Sequence, residues 1–265
     1  MDAEDAIRDL YAASEGGDVS AVGALLTPEV FLLPGSAAAA IEGRDAVAAA
    51  LHGLRIRSSG MSSGASDSGH SAWVFDQIEV YAPPDESTSG PVTMRLTALL
   101  DDGDGWRVRA AHWSVPLPSN AKQQELRAAG KLPDGAALEE SVPAEVNALA
   151  DRLRHALTGH APVPELYSVR DEAITIGSVA DEIFPGPAGK AAWEKFMDLD
   201  PRFELRGGMR GGITPDGSAA WLATQIDIIF SLIAPYRFFY VWMRENGDWK
   251  IVVSHDSVSN WPPLA

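Results

Sequence analysis

Ala3, Ile7, Leu10, Tyr11 and Ser14 follow three- and four-residue steps, the spacing that lines one face of a helix, and Gly16-Gly17 ends the run. Val146, Leu149, Leu153, Ala156 and Leu157 repeat this spacing and stop near Gly159. Short β-type runs come next, at Glu29 to Leu33 and Glu172 to Ile176. A turn-rich stretch and a second helical segment follow each, at Arg44 to Leu54 and at Lys190 to Leu199.

The period then falls to two. Val74, Ile78 and Val80 alternate with Trp73, Phe75, Gln77 and Glu79, a strand with both faces in use. Its counterpart is Ala220 to Ile228. Two more strands are predicted in each half, Val92 to Leu100 with Trp106 to Val115, and Tyr236 to Met243 with Trp249 to Val258. The turns between them, Asp101 to Gly105 and Glu245 to Asp248, carry Asx-Gly hairpin chemistry. Ser58 to Gly69 is Ser/Gly-rich and reads as a loop or degraded strand, whereas Arg202 to Gly212 reads as the better strand.

The two halves are one pattern written twice. Trp249, His255, Ser257 and Val258 each stand 143 residues after Trp106, His112, Ser114 and Val115. Gly208-Met209 and Ala220-Trp221 follow Gly60-Met61 and Ala72-Trp73 by 148, so the two lengths differ in loops. The expected division is one unit over 1–118, a Pro, Gly, Ala and charge-rich linker over 119–142, and a second unit over 143–265. Helices followed by meandering strands predict an α+β unit with helices on one face of a sheet.

Composition narrows the function classes. Hydrophobic residues make up 46% of the chain, with eight Trp and eight Phe, enough to bury two cores. The net charge of −16 repels phosphate backbones and anionic membrane surfaces, so neither nucleic acid nor membrane is an expected partner. The absence of cysteine removes disulfides and thiolate chemistry. No basic leader precedes the first helix, and no apolar run approaches the roughly 18 residues of a membrane span. A cytoplasmic location is the resulting expectation.

Strict alternation puts Trp106, Val108, Ala110, His112 and Ser114 on one face, and Trp249, Ile251, Val253, His255 and Ser257 on another. An apolar stretch ending in convergent polar groups is what a small-molecule pocket needs. His255 and Ser257, with His112 and Ser114, are the candidate anchors, and Tyr11, Trp73, Trp193 and Trp221 are the candidate lining. The competing reading has His and Ser bonding a neighbouring strand, and the aromatics serving as core. Asp227, like Glu79 on the equivalent strand, could supply a carboxylate base, and His255 a general acid or base. A Ser-His nucleophile lacks an orienting third group and a sharp elbow. His155 and His160 have no companion cluster, so no metal and no cofactor is expected. The run Gly207 to Gly212 lacks the Lys-Ser/Thr end of a phosphate loop and reads as a strand bend, with Arg206 and Arg210 beside it.

Element order and the closing Trp-x-Val/Ile strand with His-x-Ser resemble the nuclear transport factor 2-like superfamily, in particular its SnoaL-like branch. The resemblance covers residues 1–118 and 143–265. It implies two tandem cone-shaped α+β barrel units, each with helices packed on a curved antiparallel sheet around a pocket, arranged as an intrachain pseudo-dimer that makes the chain a monomer in solution. It implies a binding protein for a small, largely apolar molecule. The alternatives are a cyclase, isomerase or dehydratase-type enzyme, or a non-catalytic scaffold with filled pockets. Superfamily isomerases pair an acidic base with an acid at the substrate oxygen, and no Tyr and Asp pair is placed by sequence at matching positions. Of the two units, the second is the expected working one.

Overall fold

A computed structural model describes residues 2–35, 38–81, 90–119, 137–159, 163–229 and 233–258. The chain divides into two compact units, Met1–Pro34 with Ala40–Val115 and Gly35–Ala39 with Pro116–Ala265. Most of the segment expected as a linker, 120–136, lies outside the described residues, as does His160.

The first unit opens with α1 (Ala3–Gly16), whose N-terminus is closed by a capping box between Asp2 and Asp5 and whose C-terminus ends on left-handed Gly17. Next come α2 (Val19–Ala24), β1 (Leu26–Pro34), β2 (Ile41–Glu42) and α3 (Arg44–Leu51). Four further strands complete it: β3 (Arg55–Ala65), β4 (Ser71–Tyr81), β5 (Val92–Asp101) and β6 (Arg107–Ser114). The sheet order is β2-β1-β6-β5-β4-β3. Ile7, Leu10 and Tyr11 of α1 and Val47 and Leu51 of α3 share one core with Val74, Ile78, Leu96, Ala98 and Val108 of the sheet. The face spacing read from sequence is therefore the face that is buried.

The second unit has α4 (Asn147–Thr158), β7 (Ile174–Ile176), β8 (Ile183–Pro185), α5 (Pro187–Met197), β9 (Arg202–Leu205) and β10 (Arg210–Ile213). The long strands β11 (Ala219–Ile229), β12 (Ile233–Glu245) and β13 (Asp248–Val258) follow. Its sheet runs β10-β11-β12-β13-β7-β8, with β9 also on β11. The α+β expectation holds in both units, but neither sheet is purely antiparallel. The first strand after the helices pairs parallel to the last, β1 with β6 and β7 with β13. Asn246 and Gly247 both have positive φ (52° and 85°), the conformation that a tight two-residue hairpin between β12 and β13 demands.

The middle strands reverse the sequence expectation. The Ser/Gly-rich tract is mostly the continuous β3, paired with β4 from Arg55 to Ala65. The stretch Arg202 to Gly212 is instead broken into β9 and β10. The reason is a crossing segment: Gly208 donates its N–H to the Leu138 carbonyl at 2.7 Å, and Ser141 donates to Met209 at 2.8 Å. A Cβ at Gly208 would lie 2.3 Å from the Glu140 backbone nitrogen, so only glycine admits this approach.

Each closing strand contains one extra residue. Leu99 pairs with Ala110 and Leu100 with Val108, so Arg109 is bulged out, and its Nε donates to Asp101 Oδ2 at 2.6 Å. Val241 pairs with Val253 and Trp242 with Ile251, which makes Val252 the bulge of the second unit. A bulge shifts the alternation by one, so residues beyond it show the opposite face to that expected from strict period two. Ala111 and Trp113, rather than His112 and Ser114, share a face with Val108.

Gly208→Ala is expected to lower stability by about 1–3 kcal/mol through overpacking, while Gly16→Ala, where no atom lies within 4 Å, gains up to about 1 kcal/mol. Urea unfolding of the two variants checks this, and a neutral Gly208→Ala would contradict the close crossing.

Candidate functional site

The helix-facing side of the first sheet holds a cavity of about 30 Å3. Its lining is apolar apart from Tyr11 and Ser14, with Ile7, Leu51, Ile78, Leu96 and Ala98 among the contributors. Ser14 is taken up structurally, since its hydroxyl donates to the carbonyls of Leu51 and Leu54 and ties α1 to the end of α3. Tyr11 donates its hydroxyl to Asp76 Oδ2 at 3.1 Å, and Ser58 donates to Asp76 Oδ1 at 2.9 Å. Asp76 has no solvent exposure. Burial holds its carboxyl above the usual range, against the opposing hydrogen bonds from Ser58, Tyr11 and the Gly60 backbone. Burial, then the Asp76 charge, pushes the Tyr11 hydroxyl well up. Tyr11 and Asp76 thus form a buried polar corner beside an apolar void.

The second unit fills the same side with rings. Three contacts set the pattern: Trp193 of α5 meets Phe196 edge-on at 5.5 Å, and it lies 5.8 Å from Tyr167 and 6.2 Å from Phe238 between ring centroids. Phe238 stacks on Tyr240 at 5.7 Å. Among these rings stands Asp256, which accepts a hydrogen bond from Ser254 at 3.0 Å. Burial pushes its carboxyl well above the ordinary carboxylate range. The residue keeps part of its surface in solvent, which moderates that push. The Tyr167 and Tyr240 hydroxyls are raised by burial and then by charges nearby, Asp256 among them.

Register explains why the units differ. Cross-strand partners share a face, and the row Met61, Asp76, Leu96, Trp113 crosses the first sheet. The matching row of the second sheet is Thr224, Phe238, Asp256. Thr224 stands where the first unit has Asp76, the ring of Phe238 where it has Leu96, and the carboxyl of Asp256 where it has Trp113.

The anchors expected from sequence lie on the other face of each sheet. His112 is fully buried and its Nδ1 donates to the Leu33 carbonyl at 2.7 Å on the adjacent β1. His255 pairs across to Phe239 and Ile176. Ser114 and Ser257 close two equivalent rows, Gln77, Arg95, Ser114 and Gln225, Arg237, Ser257. Burial pushes the Arg237 guanidinium down to about 10. Trp73 and Trp221 also leave the helix-facing side. Each indole lies across a glycine of the neighbouring strand, where a Cβ on Gly64 or Gly212 would come within 2.6 or 2.5 Å of Nε1. Asp227 is buried in an ion pair with Arg206. Glu79 accepts from the Tyr81 hydroxyl at 3.0 Å. Of the sequence candidates, Tyr11 and Trp193 lie in helices and enter the interior between helices and sheet. Asp76, Trp113, Tyr167, Tyr240 and Asp256 join them there, beyond the residues that the sequence predicts as lining. The doubled apolar letters Ala110-Ala111 and Val252-Val253 were the available sign of a bulge.

Among the described residues, no group of three or more His, Asp or Glu is placed to hold a metal ion. Among the described residues, no helix is long and apolar enough to cross a membrane.

No family model and no curated protein matches this chain. Solved structures are similar to it over about half its length. A nuclear transport factor 2-like protein of unknown function from Pseudomonas putida is 19% identical over 45% of this chain and 88% of its own, with a TM-score of 0.37. A ketosteroid isomerase-like protein from Erwinia carotovora is 18% identical over 42% and 92%, with a TM-score of 0.35. A putative dehydratase of the nuclear transport factor 2-like family from Streptomyces avermitilis is 21% identical over 42% and 92%, with a TM-score of 0.34.

The raised carboxyl of Asp256 sets a pH dependence. Such a group adds most to stability below its unfolded value of about 3.9, and this contribution is lost as pH rises through the folded value. The stability of wild type relative to Asp256→Asn is therefore expected to be most favourable near pH 4 and to shrink towards pH 8. Urea unfolding of both proteins across this range measures it, and a difference that does not vary with pH would reject the assignment.

Proposed function

We propose that the first unit binds a small, uncharged, largely apolar molecule in the cavity between its helices and sheet, with Tyr11 and Asp76 as the polar anchor. The observation that carries this reading is the pairing of an apolar lining with one buried hydroxyl-carboxyl corner, the composition expected of a ligand pocket. An anion is disfavoured, since the lining holds no Lys or Arg and the chain carries a charge of −16. A void of about 30 Å3 has room for a water-sized molecule. A ligand therefore enters by displacing part of the lining.

The second unit is read as a filled counterpart. Its rings occupy the space that a ligand would need, which supports the scaffold alternative for that half. This moves the working site from the second unit, the sequence expectation, to the first. It also moves the anchors from His255, Ser257, His112 and Ser114 to Tyr11 and Asp76.

Asp76 favours a second reading, acid-base catalysis of the isomerase or dehydratase type. A carboxyl whose hold on its proton is strengthened by burial is suited to general acid-base work. On that reading wild type speeds exchange of the α-protons of 2-cyclohexenone in D2O and Asp76→Asn does not. Equal rates, followed by NMR, would sink it.

Binding is tested by calorimetric titration of the full chain with 2-naphthol. Ala98→Leu, which fills the cavity, is expected to abolish the heat of binding. Tyr11→Phe is expected to weaken affinity about threefold to tenfold, the worth of one hydrogen bond, and His255→Ala to leave it unchanged. Binding that survives Ala98→Leu and disappears in His255→Ala would overturn the proposal.

A further inference from the structure

Trp113 stands apart from the other side chains that line the first cavity. The others are buried, none more than 7% exposed, and Trp113 is the one part-exposed residue of the lining. It lies near the end of β6, paired with Pro34 near the end of β1, and packs on the core as a part-exposed residue. It faces the cavity because the Arg109 bulge turned the strand over, and the Arg109–Asp101 ion pair holds that bulge.

The row containing Trp113 supplies a length. Asp76 pairs with Leu96 and Leu96 pairs with Trp113, so the carboxyl and the indole are carried two strands apart on one face. Two strand spacings of about 4.8 Å make about 10 Å. Leu96 is the floor between them, with Ile78 and Ala98 beside it in the lining. The void is too small for more than a water-sized molecule, so anything larger must move a lining side chain. Ile7, Tyr11 and Leu51 are held within helices, and Ile78, Leu96 and Ala98 within the paired strands of the sheet. Moving any of them opens packed core, whereas a part-exposed side chain can turn outward by rotation about its own χ angles. The slot that an indole leaves is flat.

Resting on the cavity reading above, we infer that Trp113 is the gate and size filter of the first unit, and that the ligand class it admits is a planar molecule of about two fused rings with one oxygen at its far end. Trp113 swings out, the ring system lies on Leu96, and the oxygen meets Tyr11 and Asp76. In the second unit Asp256 occupies the equivalent position, 143 residues on, and Phe238 covers the floor.

The experiment titrates the full chain with planar 2-naphthol and with globular 1-adamantanol, each apolar and bearing one hydroxyl. Wild type is expected to prefer 2-naphthol at least tenfold. Trp113→Ala is expected to erase that preference by admitting 1-adamantanol and to speed association of 2-naphthol, with Trp113→Phe intermediate and serving as the test where the alanine variant does not fold. Selectivity and association rate unchanged in both variants would overturn the gate. Ala98→Leu, or Ala111→Leu where that variant does not fold, separates the two ideas. Loss of 2-naphthol binding there with unchanged Trp113 variants rejects the gate and keeps the cavity, whereas undiminished binding rejects the cavity itself.

Discussion

One extra residue in the last strand of each unit, Arg109 in the first and Val252 in the second, controls what the helices meet. Up to the bulge the strand follows the expected alternation, and Val108 and Ile251 face the core. Beyond it, Trp113 and Asp256 take the inner face and the repeated His-x-Ser turns to the outer one. A shift of one position in a period of two reassigns every later side chain, which is why so small a feature governs the chemistry of both interiors. The first bulge is further secured by the Arg109 guanidinium on Asp101, a contact with little solvent around either partner.

Given that shared frame, the two units diverge by exchange of side-chain size along one row. In the first, carboxyl, Leu and Trp run across the sheet, and the modest volume of Leu96 leaves a void beneath α1. In the second, Thr224, Phe238 and Asp256 run across it, and Phe238 joins Trp193, Tyr240 and Tyr167 in a set of close rings. Aromatic rings in tilted and edge contact gain more than their buried area alone provides. A filled interior of this kind is stabilising, and a void gives up packing.

The outer faces tell the complementary story. Gln77, Arg95 and Ser114 recur as Gln225, Arg237 and Ser257, and Trp73 over Gly64 recurs as Trp221 over Gly212. Here the copies agree in side-chain identity and position, although the chain lengths between the rows differ. His112 makes its bond to a neighbouring strand, the structural role that competed with an anchoring one. Retention in both halves thus marks the sheet's own architecture, while the differences between halves mark the interiors.

The sequence by itself determined the duplication, the α+β class, the amphipathic helix that opens each unit, the tight hairpin at Asn246-Gly247 and the inward position of Tyr11. Each depends on near neighbours along the chain or on helical period, which side-chain spacing reports directly. The broken strand around Gly208 was hidden, because what breaks it is the passage of residues 138–141 from far upstream. The facing of His112, His255, Trp113 and Asp256 was hidden too, since register is a relation between strands, and doubled letters such as Ala110-Ala111 do not fix which residue is inserted. Which interior stays open was decided last of all, by how the volumes of Leu96 and Phe238 combine with helices distant in sequence. Packing is a property of the assembled side chains, so only the tertiary structure could decide it.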